Sequence, residues 1–126
     1  MTFTTTIMKV ETPNLNERIY TIGAMEGALK DIQGPVLGTI GMPPTLNVDL
    51  FDASHRCDNF RIIEDGSMTC DVTILDTERG AVLRDLIERP GTGFRTAGYA
   101  TTEQNGSVCV ITEFTISSVN FVLDPA

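Results

Sequence analysis

The chain has 126 residues, of which 41% are hydrophobic, and this composition suits one globular domain that buries its own core. Seventeen acidic residues against nine basic ones give a formal net charge of −8 without any lysine or arginine cluster, which argues against nucleic-acid binding. No segment approaches the roughly 20 apolar residues of a membrane span. We therefore expect one domain over residues 1–126, with residues 1–15 as an N-terminal strand or arm, and no membrane association.

The cysteines and acidic residues do not predict a metal site. Cys57, Cys70 and Cys109 are odd in number and far apart, so they are interpreted as small buried apolar residues rather than as a disulfide framework or zinc ligands. The segments Asn47–Asp49 and Asp71–Asp76 lack the spacing of a calcium loop. We expect neither a metal nor a cofactor.

The first half of the chain predicts a strand, a helix and a hairpin. A strand over Phe3–Val10 is followed by a polar turn-forming run, and Thr21 is placed to cap a helix over Ile22–Gln33. Val36–Ile40 is typical of a short strand. The strand Cys57–Glu64 then turns back at Asp65 and Gly66 into a strand that alternates apolar and polar residues, the apolar ones being Met68, Cys70, Val72 and Ile74.

The second half predicts another helix and another hairpin. Asp76 or Thr77 caps a helix whose apolar stripe contains Val82, Leu83, Leu86 and Ile87 and which stops at Pro90 and Gly91. The strand Thr92–Thr101 joins a strand over Val108–Ile116 through Asn105 and Gly106, and a last strand starts at Val119 and stops at Pro125.

Together these elements predict an α+β protein. A small, mostly antiparallel β-barrel of six or seven strands, flanked by two amphipathic helices, buries both helical stripes and removes most exposed strand edges.

The stretch from Gly38 to Asp49 is the hardest to explain as ordinary packing. Its two glycines permit unusual backbone angles, and Pro43 and Pro44 then impose a stiff extended turn without amide donors. Such a turn presents the preceding residue, Met42, in a fixed position. A thioether there cannot move a proton.

Six segments of the chain, residues 16–20, 38–49, 62–66, 80–87, 90–98 and 113–126, form an ordered set from about Asn16 to the C-terminus. This ordered set resembles the prohead maturation proteases of tailed bacteriophages. The resemblance implies a serine protease of the assemblin type, related in fold to the herpesvirus maturation protease, that cleaves scaffold and capsid proteins inside the immature head.

At two positions this chain departs from that pattern. The family carries a histidine, its general base, immediately before the prolines, where this chain has Met42. The family's nucleophilic serine lies in the segment that matches Phe94–Gly98, where this chain has Arg95 and Thr96 and no serine occurs between Ser67 and Ser107. A hydroxyl needs a base within hydrogen-bonding distance to act as a nucleophile, so we expect no protease activity.

One alternative is an active protease with an unorthodox site. Thr96 would be the nucleophile, His55 the surrogate base and Asp49 the residue that orients it. His55 is otherwise expected in a half-exposed loop, where Arg56 opposes its protonation. Ser54 and His55 are not expected to meet, because neighbours on an extended chain point to opposite faces. Arg95 is expected to form a salt bridge with a carboxylate such as Asp49.

We therefore interpret the chain as an inactive, structural virion protein. It is expected to bind the phage capsid as a decoration or cement protein; a role in the assembly core is the second choice. The expected partners are the major capsid protein or other head proteins, and the chain could also associate with itself. The N-terminus lacks the features of a signal peptide, so the protein is expected to be made in the host cytoplasm. A small-ligand or regulatory β-barrel is the remaining alternative.

Overall fold

The structure, a computed structural model, describes residues 1–14, 16–45 and 47–124. The predicted stop of the last strand at Pro125 lies outside these residues. Within them, seven strands and two helices follow one another as β1 (Thr2–Lys9), β2 (Arg18–Tyr20), α1 (Ile22–Asp31), β3 (Val36–Gly38), β4 (His55–Ile62), β5 (Ser67–Ile74), α2 (Glu78–Leu86), β6 (Thr92–Asn105) and β7 (Val108–Leu123).

Both helices begin at the threonines that the sequence indicates. The Thr21 hydroxyl accepts a hydrogen bond from the Ala24 amide at 3.2 Å, and the Thr77 hydroxyl accepts one from the Gly80 amide at 3.1 Å. These bonds satisfy amides that have no partner inside the helix. The buried faces are narrower than predicted, since Ile22 and Val82 are exposed. Neither described helix is long and apolar enough to cross a membrane.

The first sheet has the strand order β1-β5-β4-β3 and is antiparallel throughout. Its centre is the predicted hairpin of β4 and β5. The four apolar residues of the alternating strand, Met68, Cys70, Val72 and Ile74, are all buried, as predicted. Cys57 is buried beside them, whereas Cys109 on β7 is only partly buried.

The second sheet has the order β2-β7-β6. Residues 108–123 form one 16-residue strand, so the prediction of two separate strands in this part of the chain was wrong. β2, which the sequence did not indicate, lies parallel to β7 and places Arg18 opposite Cys109. The predicted turn at Asn105 and Gly106 joins β6 to β7.

The α+β class is confirmed, but the predicted closed barrel is not formed. The two sheets meet where Ile40 makes an isolated bridge to Phe121, supported by hydrogen bonds from the Phe121 amide to the Thr39 carbonyl (2.9 Å) and from the Gly41 amide to the Phe121 carbonyl (2.7 Å). We call this junction, formed by Thr39–Gly41 and Asn120–Phe121, the seam. The pairing stops there because Gly41, at φ +81°, turns the chain into two prolines that have no amide to donate.

Candidate functional site

The residues from Gly38 to Asp49 leave the first sheet at the seam, and the described part of this stretch forms the wall of two clefts. Met42 is 48% exposed and borders both of them. A polar cleft of about 350 Å³ lies between the proline turn and Arg79 of α2. An apolar groove of about 690 Å³ lies on the other side, between Met42, the end of α2 and the end of β7.

Asn120 holds the seam beneath Met42. Its side chain is fully buried, and its Oδ1 accepts a hydrogen bond from the Thr39 amide at 3.0 Å. The Thr39 hydroxyl donates to the Gly41 carbonyl at 2.7 Å and lies 3.3 Å from the same Oδ1. The Asn120 Nδ2 donates to the Ser118 hydroxyl at 3.0 Å and lies 3.9 Å from the Met42 sulfur. The amide group is therefore satisfied on both sides, as a buried polar group requires.

The structure brings the two departures from the protease pattern to the same place. Arg95 on β6 lies directly opposite Asn120 on β7, and Asn120 in turn contacts Met42. Directly opposite residues of paired strands project from the same face of the sheet. Met42 and Arg95 thus flank one buried amide, although they are 53 residues apart in the sequence.

The expected salt bridge between Arg95 and Asp49 is not formed. Asp49 is exposed, and its Oδ1 accepts a hydrogen bond from the Phe51 amide at 3.1 Å. The ion pair found in the described part of the chain joins Arg61 to Asp71 at 3.4 Å, on the first sheet. The Asp49 carboxylate therefore bonds to the Phe51 backbone amide instead of to Arg95.

His55 lies in the core rather than in a half-exposed loop, so that expectation was wrong. It begins β4 and is fully buried, with its ring edge-on to Phe94 at 5.1 Å between centroids. The ring Nε2 lies 2.6 Å from the carbonyl oxygen of Val119. Since a carbonyl only accepts, Nε2 carries the proton and donates it to this bond.

Ser54 and His55 do meet, contrary to expectation. The Ser54 oxygen lies 2.7 Å from His55 Nδ1 and donates its proton to that nitrogen, because the ring proton sits on Nε2. The alternation rule fails here because Ser54 precedes the strand, which begins at His55. Ser54 is also fully buried. The pair is a hydrogen-bonded serine and histidine that solvent does not reach.

Burial lowers the pKa of His55 from 6.5 to about 4, and the hydrogen bond with Val119 opposes this effect only in part. The ring is therefore neutral at physiological pH, for a reason other than the expected influence of Arg56. Both ring nitrogens are already bonded inside the core. The ring has no free nitrogen with which to accept a proton from a bound substrate.

Comparison with solved structures gives a match over nearly the whole chain. The capsid assembly protease of bacteriophage T4 superposes with a TM-score of 0.83 at 21% sequence identity, covering 96% of this chain and 80% of that one. The chain has the fold of a phage capsid assembly protease. The fold implied by the sequence resemblance is thereby confirmed. No protein-family model and no curated protein sequence matches the chain.

Within this prohead-protease fold, the three residues of the unorthodox site are not linked by hydrogen bonds among the described side chains. Thr96 lies opposite Val119, on the core side of β6 that also carries Phe94. Among the described side chains, no hydrogen bond joins Thr96 to His55 or Asp49 to either residue. In the same described residues, no group of three or more histidine, cysteine or acidic side chains is arranged to hold a metal ion.

The buried polar residues of the prohead-protease fold are what the sequence reasoning missed. Asn120, Ser118 and Thr39 form the floor of the seam, yet none was singled out. One signal was present, since Asn120 interrupts an apolar strand between Val119 and Phe121. A buried amide in such a strand requires hydrogen-bond partners, although the sequence does not say where they lie.

Proposed function

We propose that the protein is a structural component of a phage head: a prohead-protease fold without proteolytic activity that binds the capsid. It acts as a decoration or cement protein, or as a component of the assembly core. Its partners are the major capsid protein or other head proteins, so its location is the virion. The observation that carries the proposal is the pair Met42 and Arg95, which occupy the positions where the resemblance places a general base and a nucleophile.

Neither residue supports acyl transfer. A thioether does not accept a proton at neutral pH, and a guanidinium stays protonated, so it does not attack a carbonyl. A nucleophile and its base act as a unit, and removing either one costs most of the rate. With both replaced, the accessible cleft beside Met42 contains neither the general base nor the nucleophile that the resemblance implies.

An active protease built on Thr96, His55 and Asp49 is less well supported. His55 is sealed in the core with both nitrogens bonded, while Asp49 lies on an exposed loop. A small-ligand barrel is also less well supported, because the sheets do not close and, among the described residues, only Arg89 and Thr92 bring polar side chains to the apolar groove.

The composition of purified phage particles tests the proposal. We expect the full-length chain in mature particles, in a fixed ratio to the major capsid protein, measured by quantitative mass spectrometry. The contrary result is a chain absent from mature particles together with scaffold cleavage that depends on it. Loss of such cleavage in Thr96→Ala, but not in Thr92→Ala on the same strand, would establish the unorthodox protease instead.

A further inference from the structure

The turn Asp49–Asp52 exposes two large apolar side chains next to each other. Phe51 is 93% exposed and Leu50 is 69% exposed. The turn itself is held by hydrogen bonds to Asp49, from the Asp52 amide to its carbonyl at 2.9 Å and from the Phe51 amide to its side chain at 3.1 Å. We call this turn the knob. Its apolar tip is presented on a hydrogen-bonded frame rather than on a loose segment.

A complementary surface lies on the same molecule. The apolar groove is lined mainly by aliphatic and aromatic side chains, including Met42, Leu86, Phe121 and Leu123. Met42 and Leu123 are themselves exposed. Its volume of about 690 Å³ is large enough for more than one side chain.

Charge complements this match in shape and polarity. The knob carries a carboxylate on each side of its tip, at Asp49 and Asp52, which share the polar cleft with Arg79 of the same copy, and Arg89 is the charged residue among the described residues that line the groove. The protein as a whole carries a net charge of −8, so two copies repel each other at long range. A contact that joins the acidic knob to the arginine of the groove offsets this repulsion locally.

The knob and the groove lie side by side. The polar cleft, which is lined by Asp49 and Asp52, shares Ile40 and Met42 with the apolar groove. Because the knob and the groove flank the same residues, a two-fold arrangement of two copies would let each knob meet the groove of the other, so that both contacts form together. An interface of this kind is self-complementary and closes at two subunits.

We propose that the protein forms a two-fold dimer in which Leu50 and Phe51 of each copy dock in the apolar groove of the other. The occupant of the groove is a second copy of this chain. The dimer does not depend on the proposed role in the phage head.

Sedimentation velocity over a dilution series tests the dimer. Phe51→Ser removes the larger anchor from an exposed position and raises the dissociation constant at least about tenfold, since central aromatic residues dominate interfaces. The control is Tyr99→Ser, an exposed aromatic residue on β6 outside both clefts, which leaves association unchanged. A wild type that stays monomeric up to about 1 mM overturns the proposal. Equal dissociation by the two variants also overturns it.

A charge exchange identifies the occupant. Asp52→Arg and Arg89→Asp each weaken the dimer at low salt, because each places like charges at the contact. The double variant carries both opposite charges again and regains the dimer. All the changed side chains are exposed, so folding is retained and is checked by circular dichroism. Failure of the double variant to associate more tightly than either single variant contradicts docking of knob on groove.

Discussion

The seam around Met42 and the pair formed by Ser54 and His55 differ in what each lacks. The seam is accessible and borders two clefts, but its exposed residue is a thioether and its buried amide is already satisfied. The core pair has a hydroxyl and an imidazole 2.7 Å apart, but neither is exposed. The accessible position therefore carries no reactive side chain, and the reactive side chains are not accessible.

The same hydrogen bonds have different meanings in these two settings. In an open cleft, a serine that donates to a histidine is poised to lose its proton to the ring as its oxygen attacks a substrate. In the core, the histidine uses its second nitrogen to hold the Val119 carbonyl, so it ties β4 to β7. The pair stabilises the contact between the sheets. The substitutions and the pH change described below test whether residues in these two regions contribute to stability or to catalysis.

The largest effect is expected at Gly38. A Cβ on this residue would overlap the Val119 carbonyl oxygen and His55 Nε2. Gly38→Ala must therefore break the bond between His55 and Val119 or move β3, at a cost of roughly 4 kcal/mol or more. Urea unfolding measures the loss.

The matched control is Gly27→Ala on α1, where a Cβ meets no atom within 4 Å and helix propensity favours alanine by up to about 1 kcal/mol. Similar stabilities for the two variants would remove the constraint assigned to Gly38.

The second effect is a dependence of stability on pH. His55 has a pKa of about 4 in the folded protein against 6.5 when unconstrained, so the unfolded chain binds a proton first as the pH falls. The stability that neutral His55 contributes is complete above pH 6.5, and about 3 kcal/mol of it is lost by pH 4. Unfolding free energies at pH 7 and pH 4 measure this loss.

His55→Gln is the control for this pH dependence, because it keeps a donor for Val119 but does not titrate. Its stability should vary less between pH 7 and pH 4 than that of the wild type. The hydrogen bond from Ser67 lowers the pKa of Asp65, and that from Asn59 lowers the pKa of Asp71. The stability from these carboxylates is lost below their ordinary value of 3.8, which separates them from His55. An equal slope in both proteins would show that His55 does not titrate as described.

A smaller effect is expected at Asn120. Asn120→Ala leaves the Thr39 amide without its acceptor in a buried position and costs about 2 kcal/mol. Ser118→Ala removes only the acceptor of the amide group and costs about 1 kcal/mol. Thermal or urea unfolding ranks the two variants. If Ser118→Ala is the more harmful, the seam depends on the serine rather than on the amide of Thr39.

The smallest effect is expected at Met42. Met42→His changes a half-exposed side chain and should alter stability by less than about 0.5 kcal/mol. We expect it to restore no proteolysis, since Arg95 stands where the sequence resemblance places the nucleophile. Incubation with candidate head proteins followed by mass spectrometry detects any cleavage. Cleavage by Met42→His, absent in Met42→Gln, would mean that a nucleophile persists near the seam.

The sequence predicts the local elements well because their determinants are local. Threonine caps, the turns at Gly66 and Gly106 and the alternation in β5 each depend on residues close together in the chain. The parallel pairing of β2 with β7 joins residues about 90 positions apart, and no local pattern encodes it. The incomplete closure of the barrel likewise depends on how two distant strands, β3 and β7, meet.

The site was predicted only in part. Met42 and Arg95 were chosen through resemblance, and the structure does place both beside Asn120. The burial of His55 was missed because its partner, Val119, lies 64 residues away. Its contact with Ser54 was missed because the outcome depends on whether the strand begins before or after Ser54. A shift of one residue in that boundary reverses the expectation.

The seam is fastened by backbone groups of Thr39, Gly41 and Phe121 and by the Asn120 amide, while the Met42 sulfur contributes one weak hydrogen bond at 3.9 Å. The contacts that hold the backbone around position 42 thus depend little on which side chain this position carries. A substitution at this position should therefore leave the fold intact. The same tolerance makes position 42 a suitable attachment point for a probe or cross-linker that reports on whatever occupies the neighbouring clefts.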